Sequence, residues 1–276
     1  MNWRSIRAIT FKDIKEVRQN KAAWIPALVV PLIFAVLMPI MFVYLPQAFP
    51  GVGGLSQQLQ EIQQLITHLP TNVAAIFDGL SLEQIWAIYI IGFLLAPLFL
   101  VMPLMFSTII GADSFAGERE RKTMEALLYT PASDSELFLG KVLAAVVPAV
   151  LLSWISFLVY ILVVNATSFQ VMGRIWFPLP AWWPLMLWLT PAIAVLGISA
   201  TVLISSRVRT FMEAYQLSGS LVVLVLGLVA GQISGVLYLG VLTTILVGLL
   251  VWILDAALLW ISIRSFKRSE LITKIE

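Results

Sequence analysis

Ionisable side chains are missing from five long stretches of this chain, and that absence limits its fold more than any other feature. Ala22–Pro46 carries none in 25 residues, Gln84–Ala112 none in 29, Val142–Gly173 none in 32 and Ile175–Ser206 none in 32. An α-helix needs about 20 apolar residues to cross the hydrocarbon core of a bilayer, so each of these stretches holds one span. Ala214–Leu254 is charge-free for 41 residues, which at ~1.5 Å per residue is about twice a straight crossing. It must turn, and Gly231-Gln232-Ile233-Ser234-Gly235 supplies the turn before a sixth span that carries Asp255. The expectation is an all-α polytopic membrane protein, one domain over 1–276, with spans at 23–46, 85–110, 138–164, 182–206, 214–231 and 238–263.

Composition points the same way. Hydrophobic residues make up 60% of the chain and charged residues 12%, with a mean hydropathy of +0.96, whereas a soluble chain carries about 25% charged residues. With no cysteine and a single histidine, His68, a disulfide scaffold and a zinc domain of clustered Cys and His are both excluded. A net charge of +2 gives no reason to expect a nucleic-acid partner.

The basic residues set the orientation. Arg4, Arg7, Lys12, Lys15, Arg18 and Lys21 precede the first span, and Arg119, Arg121, Lys122 and Lys141 lie between the second and third. Arg207 and Arg209 separate the fourth and fifth, Arg264, Lys267, Arg268 and Lys274 follow the sixth, and only Arg174 falls on the opposite side. By the positive-inside rule both termini are expected to be cytoplasmic, with the chain in the plasma membrane. No cleavage site of the A-x-A kind follows the apolar stretch after Lys21, so the first helix is expected to stay. Trp24 and Trp260 are expected at inner headgroups and Trp86, Trp182 and Trp183 at outer ones. Pro26, Pro31, Pro39, Pro97, Pro103, Pro148, Pro184 and Pro191 predict kinks in spans one to four.

Two segments read as surface helices. Over 1–21, Trp3, Ile6, Ile9, Ile14 and Val17 recur at near-helical spacing beside a basic stripe of Arg4, Arg7, Lys15 and Arg18. This predicts an interfacial helix with its apolar face in the headgroup boundary and its cations on anionic lipid. In the external loop 47–84, Leu55, Leu59, Ile62, Ile66 and Leu69 form a stripe opposite a glutamine-rich face; it can pack on lipid, on its own bundle or on a second copy. Gly227, Gly231 and Gly235 recur every fourth residue, a spacing that lets helix backbones approach closely, either between two copies of the chain or, more simply, span five on span six. Asp255, at mid-membrane, marks an intramembrane polar site that could meet a cation, accept a proton or bond a neighbouring Ser or Thr.

The segment 111–137 carries the densest signal. Ser114-Phe-Ala-Gly-Glu-Arg-Glu-Arg-Lys-Thr-Met-Glu-Ala-Leu-Leu-Tyr-Thr-Pro131 predicts a helix from Ser114 to about Tyr129, with i,i+4 pairs Glu118–Lys122 and Arg121–Glu125. Pro131 ends it, and Ser133 with Glu136 spells a capping box that opens the third span. Glu118, Arg119, Glu120 and Arg121 offer charge of both signs, and Met124, Leu127 and Leu128 an apolar edge.

Together with Leu139-Gly140-Lys141, this segment resembles the hallmark of the permease subunits of ABC-2-type transporters, S-F-A-x-E-[KR]-E-x-G-T-x-E-x-L-L-x-T-P followed by L-x-G-K. It departs at Lys122, where the family usually has Gly, a change expected to stiffen the helix. The resemblance spans essentially the whole chain. It implies a transmembrane subunit working as a pair, expected to be a homodimer, with two ATP-binding subunits that hold ATP and Mg2+, usually for export. It also implies that Glu118, Arg119, Glu120, Arg121, Thr123, Met124, Glu125, Leu127 and Leu128 form the coupling helix those subunits push.

This chain itself is not expected to be an enzyme or to bind a cofactor. A P-loop needs G-x-x-x-x-G-K-[ST], and the nearest string, Ser135–Val142, lacks its first Gly and final Ser/Thr. An intramembrane protease needs a base or clustered ligands in the spans, and Asp255 stands alone there. A secondary carrier or channel-like protein without an ATPase is the alternative, and it leaves the motif helix unexplained. The six-span topology has a direct test. On intact cells an impermeant thiol reagent is expected to label single cysteines at Gln64→Cys and Arg174→Cys but not at Arg121→Cys, and the reverse pattern contradicts it.

Overall fold

The computed structural model describes residues 2–19, 25, 28–48, 75–123 and 132–265. The described residues contain helices and no strand. Helix α1, Trp3–Gln19, precedes the shorter apolar helix α2, Leu28–Tyr44. Five helices long and apolar enough to cross a membrane follow: α3 Glu83–Glu120, α4 Asp134–Met172, α5 Trp182–Ser205, α6 Phe211–Ile233 and α7 Val241–Ile263. The chain is therefore an all-α polytopic membrane protein. The external stripe 55–69, Trp24 and the tail beyond 265 lie outside the described residues.

Two helices outrun the bilayer. At ~1.5 Å per residue, α3 and α4 each reach close to 60 Å, about twice the hydrocarbon thickness. Helix α4 starts on the expected capping box, in which the Ser133 hydroxyl accepts from the Glu136 N–H and the Glu136 carboxylate from the Ser133 N–H. It ends at Gly173, whose φ of 65° is the left-handed conformation that closes a helix. Helix α3 was expected to stop near 110; it continues ten residues because the polar groups of 113–120 find partners inside the protein.

Proline leaves its mark unevenly. Wide π turns follow Pro31, at Leu32–Leu37, and Pro184, at Leu185–Leu189, and α3 breaks briefly at Phe99 and Leu100 between Pro97 and Pro103. Around Pro148, α4 stays α-helical. A further wide turn, Ile88–Leu94, contains no proline and serves as the anchor of the bundle. Its successive carbonyls accept side-chain donors from three other helices: Ile91 from the Tyr160 hydroxyl at 2.8 Å, Gly92 from the Trp182 indole at 2.7 Å and Phe93 from the Gln232 amide at 3.0 Å. Each bond satisfies a polar group that lipid would leave bare. Around them Phe99, Phe157, Tyr160, Phe177 and Trp182 stack and meet edge-to-face with centroids 5.0 to 6.4 Å apart. Trp182 and Trp86 are thus not headgroup anchors: both are buried, and the Trp86 indole bonds the Phe42 carbonyl.

Helix α5 lies against α3 at Gly197, where a Cβ would come within 2.2 Å of the Ser107 hydroxyl and 3.2 Å of the Leu104 carbonyl. The expected packing of span five on span six through glycines is absent. Helix α6 packs on α3, Gly227 faces open space and Gly231 meets only the Leu237 Cβ. Gly235 has left the helix for a left-handed turn at φ 71°. Helices α6 and α7 consequently leave large apolar faces uncovered, including Val223, Leu224, Leu226, Leu250 and Ile253.

Candidate functional site

The chemistry-bearing residues of the motif converge where α1, the end of α3, the start of α4 and the α5–α6 hairpin meet. Lys141 sits about two turns into α4, with 0% of its surface exposed. Its ammonium has three donors and meets three acceptors: Glu118 Oε2 at 2.6 Å, the Ser114 carbonyl at 2.8 Å and Asp13 Oδ2 at 3.2 Å. The Phe115 ring lies 5.5 Å away on its cation–π side. An ammonium removed from water is tolerated only with such complete pairing.

Glu118, 1% exposed, uses its other oxygen on Lys12 at 2.6 Å. Lys12 also reaches Asp13 at 3.3 Å and Glu16 at 3.1 Å. Oxygens of Asp13, Glu16 and Glu118 lie close enough together to hold a metal ion, but the Lys12 ammonium already stands among all three. Burial alone would lower the Lys12 pKa; the hydrogen bond to Glu118 and the charges of Asp13 and Glu118 outweigh it and raise it. For Glu16 burial works upward, and the Lys12 hydrogen bond and charge with that of Arg121 bring the carboxyl below its usual range. Arg121 closes the cluster, bonding Asp113 at 2.9 Å and Glu16 at 3.2 Å.

Backbone contact makes this possible. Gly140 admits α1: a Cβ there would lie 2.8 Å from Ile9. Beside it the Thr10 hydroxyl donates to the Gly140 carbonyl at 3.0 Å, and the Asn2 N–H bonds Glu136. In Leu139-Gly140-Lys141 the glycine thus supplies the approach and the lysine the ion pair.

The other two motif charges hold the α5–α6 hairpin. The Arg119 guanidinium donates to the carbonyls of Ser205, the last residue of α5, and of Val208 in the loop that follows, and Glu120 accepts from the Phe211 N–H at 2.8 Å, where α6 begins. A cation at a helix C-terminus and an anion at an N-terminus match the two helix dipoles. Thr210 caps α6 by accepting from the Glu213 N–H.

These placements change several expectations. The expected pair Glu118–Lys122 is replaced by Glu118 with Lys12 and Lys141, and Arg121 pairs with Asp113 and Glu16. The helix expected from Ser114 to about Tyr129 is interrupted, because Lys122 takes φ 55°. The Lys122 N–H bonds the Arg119 carbonyl at 3.1 Å and the Thr123 N–H bonds the Glu118 carbonyl at 3.0 Å, the two bonds of a Schellman stop. This is the position at which the resembled family usually has Gly, and left-handed backbone explains that preference. Lys122 ends the helix here where stiffening was expected. Lys122 and Thr123 are exposed, and Met124, Glu125, Leu127 and Leu128 lie outside the described residues.

Helix α1 also differs from its expected pose. Ile6, Ile9 and Val17 are buried within the protein, with α1 packed on α4. The outward face instead carries Trp3, 67% exposed, and Phe11, 60% exposed, with Arg4, Arg7 and Lys15 also exposed. The Arg7 guanidinium lies 5.4 Å from the Phe11 centroid. The Arg18 side chain is outside the described residues. Asp255 is fully enclosed in α7. Lys12, Asp13, Glu16 and Asp113 escaped sequence reasoning, although one signal was available: Asp13 interrupts the apolar spacing Ile6, Ile9, Val17 on a single face of α1.

The family model described as "ABC-2 family transporter protein" matches residues 7–246. The chain belongs to this family of transporter permeases and is a multi-pass membrane subunit of it. No curated protein and no solved structure matches the chain.

The Schellman stop generates a prediction. A left-handed residue with a Cβ costs about 1–2 kcal/mol relative to Gly, so Lys122→Gly is expected to stabilise the protein by about 1 kcal/mol. Thermal unfolding in detergent should show a raised midpoint for Lys122→Gly and a lowered one for Lys122→Val, and equal midpoints for all three proteins contradict the assignment.

Proposed function

We propose that this chain is the transmembrane half of an ATP-driven exporter. It pairs with a second copy, spans the plasma membrane with both ends cytoplasmic and is driven by two ATP-binding subunits that hold ATP and Mg2+. The observation that carries this reading is the convergence of four structural pieces on one motif. Glu118 ties α3 to α1 and α4 through Lys12 and Lys141, and Arg119 and Glu120 tie it to the α5–α6 hairpin. A push on the segment after Lys122 is delivered to α1, α3, α4, α5 and α6 together. Met124, Glu125, Leu127 and Leu128 are the residues that meet the ATP-binding subunit, with Lys122 and Thr123 at the edge of that surface. Glu118 and Arg121 act behind it as positioning residues. The uncovered apolar faces of α6 and α7 support pairing with a second copy as well as contact with lipid.

Purification of the chain from its own membrane in mild detergent is expected to bring an ATP-binding subunit with it. Leu127→Asp with Leu128→Asp should abolish that association. Arg119→Ala with Glu120→Ala should retain the partner but remove the effect of the permease on its ATP hydrolysis. A wild-type chain that purifies with no ATPase overturns the reading in favour of a secondary carrier, and normally coupled hydrolysis in the Arg119/Glu120 variant removes the hairpin from the coupling route.

A further inference from the structure

Asp255 lies on α7 with 0% of its surface exposed, and neither carboxyl oxygen has a hydrogen-bond partner. This enclosure is made by one chain alone, so neither lipid nor a second copy can reach the carboxyl in this conformation. Helix α7 packs on α5, and the two are held together by Trp188, whose indole bonds the Ile245 carbonyl and packs on Gly248 and Trp252.

Four partners are conceivable for an acid in this position: a protein cation, a hydroxyl donor, a metal ion and a proton. Neither packed helix carries a cation: α5 from Trp182 to Ser205 has no ionisable residue, and α7 from Val241 to Ile263 has Asp255 only. On α5 Ser199 donates to the Val195 carbonyl and Thr201 to the Gly197 carbonyl, both at 2.7 Å, and although the Ser205 and Ser262 hydroxyls and the Trp252 indole are themselves without a partner, none of them is hydrogen-bonded to Asp255. A metal ion of the hard class takes six or more oxygen ligands, and two carboxyl oxygens with no second acid beside them do not form such a shell. A proton needs only one oxygen. An ionised carboxylate enclosed without a partner is far costlier than a neutral acid, whose desolvation is that of an ordinary polar group.

We propose that Asp255 is a proton-binding site inside the helix bundle, its carboxyl carrying a proton while the α5–α7 seam is closed. The proton comes from a hydronium ion in water admitted when the seam parts: one O–H bond of the hydronium breaks as one forms on the carboxylate, a water molecule is left, and nothing is oxidised or reduced. The site rests on residues of this chain and does not depend on an ATP-binding partner.

The test is infrared difference spectroscopy of the full-length protein in lipid nanodiscs at neutral pH, wild type against Asp255→Asn. The expected result is loss of a protonated-carboxyl carbonyl band in the variant. Loss of carboxylate stretching bands instead, with no change in the protonated-acid region, overturns the proposal. Should Asp255→Asn fail to fold, protein carrying carbonyl-13C aspartate serves the same purpose. The acid band should then shift with the label in wild type and become insensitive to it in Asp255→Glu. An acid band that ignores the label in wild type, or that still follows it in Asp255→Glu, assigns the proton elsewhere.

Discussion

A lysine with no access to water fixes the architecture of the motif end. Lys141 can remain charged at 0% exposure only while three acceptors surround it, and these come from two different helices, Asp13 on α1 and Ser114 and Glu118 on α3. Drawing either helix away from α4 bares a buried ion. Removing one partner of such a pair typically costs about 3–5 kcal/mol, a large fraction of the total stability of a domain. The three helices therefore move together or not at all. Gly140 belongs to the same device, because any side chain there would push Ile9, and with it Asp13, away from the ammonium.

The opposite half of the bundle is held differently. Aromatic side chains from α4 and α5 and the Gln232 amide from α6 bond three successive carbonyls in the wide turn of α3. The two anchors share α3, which is mostly buried, whereas α6 and α7 are mostly uncovered. A tightly held centre of α3, α4 and α5 with a lightly held periphery suits the half-transporter proposed above, in which force would enter at one end and the outer helices would meet lipid or a second copy. Arg119 and Glu120 bridge the two parts by gripping the hairpin that opens α6.

What could be read from sequence was local or compositional. Charge-free runs located the apolar helices because the bilayer imposes their length, and the Ser133–Glu136 box was legible because both its bonds close within three residues. The motif itself was legible through a family resemblance that the match over 7–246 bears out. The direction in which its charges point was not. Glu118 looked like half of an i,i+4 pair with Lys122, yet its partners lie 106 and 23 residues away. Nothing local reveals that a fully buried cation waits there. Lys122 was read as a helix former since propensity favours it, while the backbone demanded a left-handed residue. Trp182 and the glycines of 227–235 were read by their usual roles, and packing assigned them others. Asp255 was recognisable as a membrane acid, but its lack of a partner is a property of the packed bundle.

The claim on which this account turns is that Glu118 and Lys141 act as one unit. A double-mutant cycle with Glu118→Gln, Lys141→Met and the pair, read by thermal unfolding in detergent, measures it. The account predicts that either single change is costly and that the second costs far less once the first is made, with a coupling energy of about 2–3 kcal/mol. Additivity within about 0.5 kcal/mol, the behaviour of independent sites, would contradict it.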